Sequence, residues 1–219
     1  GVHPSLLPRH RGPNPYFWSI DSGDTEAGVT LHTLAPEYDT GAILLQRAIS
    51  VGERNAWQLA RALDRPSLSL LREGVGRFAR SHPPEPTVQD EQAATWAPEP
   101  TGRELGVDWR WTTERVLRRI RALSPVPGLA VDVNGLRFFV TRAETATDYV
   151  AALEPGEAAV VGTVGVLTIR TADGAIAVLR ATLTDEAEEE DECEQSENEV
   201  QLDRHALAHT VTKHLAHRG

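Results

Sequence analysis

The sequence predicts an α/β unit followed by a small β-barrel, and three observations carry that expectation. Residues 28–34 and 42–51 alternate in the manner of strands, and residues 53–80 then place apolar side chains at mostly helical spacing. Pro83, Pro84, Pro86, Pro98 and Pro100 mark residues 81–102 as an extended, semi-rigid connector. Beyond residue 128 short β-rich runs recur, with the hairpin signals Asn134-Gly135 and Asp173-Gly174 between them. Several short strands with one helix suggest a barrel.

In chain order, Pro4 and Pro8 make residues 3–12 a loop, and residues 13–20 read as a short helix with proline near its start. Ser22-Gly23-Asp24 is a turn between that helix and the first long strand. The stretch at 53–80 carries Trp57, Leu59, Ala60, Leu63, Leu68, Leu71, Val75 and Phe78, with Pro66 expected to break it or start a new segment. After the connector, Thr112 opens a helix over 113–123 with Val116, Ile120 and Leu123 on one face. Arg115, Arg118, Arg119 and Arg121 occupy most of the rest and are expected to face solvent. Strands follow at 129–133, 136–141, 157–161, 166–171 and 175–183. The domain reading is therefore 1–80, a connector at 81–102, a barrel at 103–183, an acidic disordered segment at 184–200 and a helical tail at 201–219.

The charge has a local origin. Ten of the 32 acids lie between 185 and 199, and the remaining 22 equal the 22 lysines and arginines, so the body of the chain is balanced. No apolar run approaches the ~18 residues of a membrane helix. Nothing resembles a cleaved signal peptide, so the expected compartment is the cytoplasm. Cys193 is the single cysteine and cannot form an internal disulfide or hold a structural zinc alone. Its acidic neighbours disfavour the thiolate. With no methionine, even at position 1, the chain is expected to be less than a complete translated product.

His3-Pro4-Ser5-Leu6-Leu7-Pro8-Arg9-His10-Arg11-Gly12 is the most specific signal, a proline-fixed loop directly after a strand end. In a parallel α/β sheet such a loop is where ligands bind. It resembles the signature loop of the 10-formyltetrahydrofolate-dependent formyltransferases. Gly23-Asp24, residues 27–32 (Ala-Gly-Val-Thr-Leu-His) and residues 39–44 (Asp-Thr-Gly-Ala-Ile-Leu) agree with that family in order and spacing. Past the connector, Thr95-Trp96-Ala97-Pro98, Val107-Asp108-Trp109, residues 118–128, Pro155-Gly156-Glu157 and Ala172-Asp173-Gly174 are similar to the second domain of methionyl-tRNA formyltransferases. The resemblance implies the C-terminal half of a doubly wound formyltransferase domain followed by a small OB-like β-barrel. About one half of the doubly wound sheet lies outside it.

Formyl transfer needs an amine to attack an amide-like carbonyl through a tetrahedral oxyanion, with a donor for that oxygen and a group to manage the amine's protons. In the family an Asn-x-His arrangement supplies donors, and a distant aspartate orients the histidine. The resemblance puts His3 on the histidine, Asp39 on the aspartate and Gly1 on the asparagine position. It makes Ser5, Leu6, Leu7 and Pro8 the folate side of the cleft, and Pro36, Glu37 and Tyr38 part of the pteridine pocket. The formyl donor implied is 10-formyltetrahydrofolate, with no metal. The partner implied is initiator methionyl-tRNA, contacted by Arg115, Arg118 and Arg119, because clustered arginines suit phosphate. The missing N-terminal half of the catalytic domain is a second partner, and the complete protein is expected to be a monomer.

Competing readings stay open. An amino-sugar nucleotide could take the place of the tRNA as acceptor, or the chain could be a non-catalytic remnant that binds RNA or a partner. His32 reads as a strand residue. Trp96, Trp109 and Trp111 read as packing residues, and His205, His209, His214 and His217 as surface groups without the carboxylate geometry of a metal site.

Overall fold

The computed structural model describes residues 1–183 and 200–216. The chain forms two units, Gly1–Thr101 and Gly102–Gly219. In the first, β1 (Val2–His3), β2 (Glu26–His32) and β3 (Ile43–Ser50) make a sheet in the order β1-β2-β3. Both pairings are antiparallel, with His3 opposite Thr30 and Thr30 opposite Gln46. The loop after β1 is therefore placed by antiparallel pairing to β2, not by the carboxyl edge of parallel strands. Six consecutive residues of β2, from Ala27 to His32, are buried, so both of its faces are covered. Leu6 of the loop covers one face at Gly28, and α2 (Ala56–Ala79) brings Gly74 onto Leu31 of β2. A β-carbon at either glycine would collide with that leucine, so the close approach requires both.

Asn55 and Gln58 start α2 with a reciprocal capping box. Pro66 lies inside the helix and does not break it. An interior proline costs about 3 kcal/mol. Leu59, Leu63 and Leu70, buried on both sides of it, are each worth roughly 1.5–3 kcal/mol, and together they outweigh that cost. The other face leaves Leu68, Leu71, Val75 and Phe78 exposed. Asn14 caps the short helix α1 (Pro15–Asp21), whose Phe17 and Ile20 are buried.

The proline-rich segment, expected to be an extended connector, is interrupted by a 3-10 turn at Glu91–Ala93 and is no free connector. Thr87 and Ile43 exchange backbone hydrogen bonds of 2.8 Å. Arg11 N donates to Thr95 O at 2.9 Å, and Ala97 N donates to Arg11 O at 2.6 Å. Prolines remove donors along this stretch, and the residues between them still supply enough to zip it onto the first unit.

The second unit is a six-stranded antiparallel sheet of β4 (Leu129–Val133), β5 (Leu136–Thr145), β6 (Ala158–Val161), β7 (Val166–Arg170), β8 (Ala175–Leu183) and β9 (Val200–Asp203). Its order is β4-β5-β8-β7-β6, with β9 added on β8. Register shifts between Val140 and Ala143 interrupt the β5–β8 ladder, the irregularity that strengthens twist in a small curled sheet. Helix α3 (Thr113–Ala122) has its N-terminus tied down by Asp173 of the β7–β8 turn, which accepts from Thr113 N at 2.7 Å. Val116, Ile120 and Leu123 are buried as the periodicity predicts. The tail is β9 followed by α4 (Arg204–Ala216), not helix alone. Asp203 caps α4 through His205 N and Ala206 N, both at 3.0 Å. The acidic run expected to be disordered lies outside the described residues apart from Val200, which opens β9. Among the described residues no helix is long and apolar enough to cross a membrane.

Candidate active site

His3 ends β1, and its side chain is buried, at 6% exposure. Nε2 lies 2.8 Å from the His10 carbonyl oxygen. A carbonyl can only accept, so Nε2 carries the proton and donates. Nδ1 faces the Asp39 carboxylate, 3.4 Å from Oδ2. Burial, the largest influence, holds the His3 pKa below its ordinary value, against the raising effects of the His10 carbonyl and Asp39. The ring is then neutral at pH 7, with a lone pair at Nδ1 turned toward the carboxylate. Two lone-pair groups do not attract, which agrees with a separation longer than an ordinary hydrogen bond.

Asp39 is on the loop between β2 and β3, in the left-handed region at φ +60°, where aspartate is among the tolerated residues. Gly12 N donates to its Oδ2 at 2.9 Å. Gln89 holds the loop from the other side, donating to the carbonyls of Asp39 and Gly41 at 2.7 Å each. Arg11 in turn donates to Gln89 Oε1 at 3.1 and 2.8 Å and forks onto Glu91 at 2.9 and 2.8 Å. Two segments far apart in sequence, the loop after β1 and the proline-rich stretch, thus fix the carboxylate.

His32 is the strand residue the sequence predicts, the last of β2, and it also stands beside Asp39. Its Nε2 is 3.8 Å from Asp39 Oδ1, and its Nδ1 is 2.8 Å from the Thr33 carbonyl, which must accept. Asp39 therefore stands between two imidazoles, each with its outward proton on a backbone carbonyl. Gly1 pairs with His32 through the ladder, His32 N donating to Gly1 O at 2.9 Å. The available signal was register: residues 1 and 3 share a face of β1, and 30 and 32 share a face of β2.

The remaining expected residues divide. Ser5 and Leu7 are 1% and 3% exposed, and Ser5 Oγ donates to Arg9 O at 2.6 Å. Side chains so enclosed cannot line an open folate cleft; they shape the loop. Leu6 and Pro8 are partly exposed. Pro36, Glu37 and Tyr38 are exposed on the Asp39 loop, Tyr38 at 84%. On α3 the expectation that the arginines face solvent fails for Arg119, which is 4% exposed. Its Nη1 donates to the carbonyls of Arg103, Glu104 and Gly106 at 3.2, 2.7 and 2.6 Å, closing the loop before the helix. A guanidinium buried to that degree and turned onto the loop is not presented to phosphate in solvent. Arg115 is half-buried with its guanidinium 4.5 Å over the Trp111 ring, and half-buried Arg118 pairs with Glu114.

Chemically, the first unit offers an unprotonated imidazole nitrogen beside an oriented carboxylate, the parts needed to take a proton from an attacking nucleophile and return it to a leaving group. The formyl transferase family matches residues 1–64, and the formyl transferase C-terminal domain matches residues 102–190. A methionyl-tRNA formyltransferase of Anaeromyxobacter dehalogenans is 36% identical over 184 residues, which is 83% of this chain and 59% of that protein. The chain spans about half the length of the curated relatives it matches. HypX from Aquifex aeolicus, solved in complex with tetrahydrofolic acid, aligns over 97% of this chain and 35% of its own, at TM-score 0.70 and 24% identity. An N-formyltransferase from Helicobacter canadensis, solved with folinic acid and dTDP-3-aminofucose, aligns over 81% of this chain and 64% of its own, at TM-score 0.66 and 18% identity. At those identities the two structures share the fold. Two domain matches in the order seen here, on an α/β unit followed by a small β unit, place the chain in the formyltransferase family.

Proposed function

We propose that the site transfers a formyl group from 10-formyltetrahydrofolate to the amino group of methionyl-tRNA. The observation that carries this reading is the placement of His3, with Nδ1 3.4 Å from Asp39 and Nε2 2.8 Å from the His10 carbonyl. In the transfer, the amine nitrogen bonds to the formyl carbon and the bond from that carbon to the folate nitrogen breaks. His3 Nδ1 takes the proton released by the amine, and Asp39 stabilises the imidazolium that results. The same proton then goes to the departing folate nitrogen, so the ring ends neutral. The exposed loop of Pro36, Glu37 and Tyr38 next to Asp39 supplies one wall for the pteridine, and Leu6 and Pro8 a second. The rest of the family's catalytic domain, about half the length of the relatives, completes the folate pocket.

Relatives at 30–36% identity that are methionyl-tRNA formyltransferases support tRNA as the acceptor. Arg115 and Arg118 are the phosphate contacts we assign, with Trp111 stiffening Arg115 by stacking. The test is a formyl-transfer assay with 10-formyltetrahydrofolate and two acceptors, methionyl-tRNA and an amino-sugar nucleotide. The chain is assayed alone and with the remaining half of a family catalytic domain supplied. Transfer to methionyl-tRNA in the completed protein is the expected result. Transfer confined to the sugar would overturn the acceptor, and transfer to neither would overturn the reading.

A further inference from the structure

His10 combines three properties that its place in the loop does not require. It is a non-glycine residue in the left-handed region, at φ +57°; its side chain is buried; and its carbonyl accepts the proton of His3 Nε2 at 2.8 Å. The left-handed turn aims that carbonyl, because rotating the His10 backbone to an ordinary conformation would swing the oxygen away from β1. Histidine visits this region more readily than most residues, but something must hold it there. His10 Nε2 is 2.7 Å from Asp24 Oδ2, and a carboxylate can only accept, so His10 donates. Arg9 Nη2 grips the other oxygen of the same carboxylate at 2.5 Å. On the backbone, His10 N donates to Thr95 Oγ1 at 2.8 Å.

Asp24 lies on the turn that leads into β2, whereas Asp39 lies on the loop that leaves it. It is held below the usual carboxylate range: burial opposes the charge, and the hydrogen bonds from His10 and Arg9 outweigh it. A charged acceptor makes the stronger kind of hydrogen bond, so this pair is a firm tether on the loop.

We propose that His10 and Asp24 are positioning residues for His3: their hydrogen-bonded pair fixes the turn whose carbonyl keeps the His3 proton on Nε2 and leaves Nδ1 free toward Asp39. The inference rests on the reading of His3 Nδ1 as the proton-handling atom. The reason a tether is needed lies in the competition between two acceptors for one proton. Neutral imidazole carries a single proton, and Asp39, a carboxylate, would draw it to Nδ1. That tautomer would leave Nδ1 unable to accept from an amine. The His10 carbonyl opposes the swap by rewarding the proton on Nε2, and it can do so only while the turn holds it in line. Asp24 thus acts on the reacting histidine through a backbone carbonyl, touching neither substrate nor His3.

The direct readout is the tautomer of His3 in the chain labelled with ¹⁵N-histidine, observed by NMR at about pH 8, above histidine's ordinary range. The expected wild-type signal is a single tautomer protonated at Nε2. Asp24→Ala should shift the ratio toward protonation at Nδ1 by about tenfold, the weight of one net hydrogen bond. Asp24→Asn, which keeps an acceptor for His10, should restore the wild-type tautomer. Where Asp24→Ala does not fold, His10→Asn serves, since asparagine tolerates the left-handed turn but is too short to reach Asp24. In the formyl-transfer assay the shifted variants should lose kcat in proportion to the Nε2-protonated fraction they have lost, with KM unchanged. An Nε2 tautomer unaltered in Asp24→Ala, or in His10→Asn where Asp24→Ala does not fold, would overturn the proposal. A tautomer that shifts in a protein unable to transfer formyl groups would leave the positioning intact and overturn the functional reading instead.

Discussion

His32 Nε2 stands 2.7 Å from the point a β-carbon on Gly1 would occupy, so the imidazole and any side chain at residue 1 compete for one volume. His32 is buried and tied by Nδ1 to the Thr33 carbonyl, which leaves its ring little room to yield. Gly1→Ala should therefore destabilise the first unit by about 1–3 kcal/mol, the usual cost of overpacking. Pairing it with His32→Ser should recover most of that loss in urea denaturation. The same geometry bears on the family's asparagine. Gly1→Asn alone should displace His32 and gain little, and an equal urea midpoint for wild type and Gly1→Ala would show that the ring yields freely.

Stability should fall with acid from near neutrality. The folded-state pKa of His3 is lowered, chiefly by burial, from an ordinary 6.5. Between that value and the lower folded one, the unfolded chain binds more protons, so stability rises with pH across this window. The contribution is complete above about pH 6.5 and is lost as pH falls toward the folded pKa. His3→Gln should flatten the pH dependence of the unfolding free energy over this range. A slope that is the same in both proteins would mean that His3 charges as easily folded as unfolded.

Arg119 and Arg118 are neighbours on α3 with opposite expected behaviour. Removing Arg119 strips three backbone carbonyls of a buried charged donor, so Arg119→Ala should cost about 2–3 kcal/mol. Arg118 pairs with an exposed Glu114, and Arg118→Ala should stay within about 0.5 kcal/mol. Thermal denaturation of the two variants side by side checks the contrast.

Binding of initiator tRNA separates the same arginines in a second way. If Arg118 meets phosphate, Arg118→Ala should weaken binding and lower the slope of log affinity against log salt by about 0.7–0.9. Unchanged affinity and slope across a salt series would assign Arg118 to the helix surface alone.

Much of the fold was legible because local signals were strong. Asn134-Gly135 and Asp173-Gly174 marked the hairpins, Thr112 marked the start of α3, and the spacing of Val116, Ile120 and Leu123 marked its buried face. The arrangement of the site was less legible, because it depends on pairings between distant segments. Nothing local to Gln89 or Thr95 shows that they clamp the Asp39 loop and His10 across a gap of many residues. His32 reads as a strand residue alone because its place beside Asp39 follows from the β1–β2 register, which one sequence does not state. Arg119 was misread since a helix stripe of arginines looks solvated until the loop before it folds back onto one of them.

The most direct test of the account is the rate of formyl transfer to methionyl-tRNA with His3 intact and with His3→Ala, measured in the protein completed with the rest of the catalytic domain. If His3 Nδ1 handles the amine's proton, the substitution should lower kcat by about 10²–10⁴-fold while binding of methionyl-tRNA is retained. Transfer at an undiminished rate in His3→Ala would contradict the assignment.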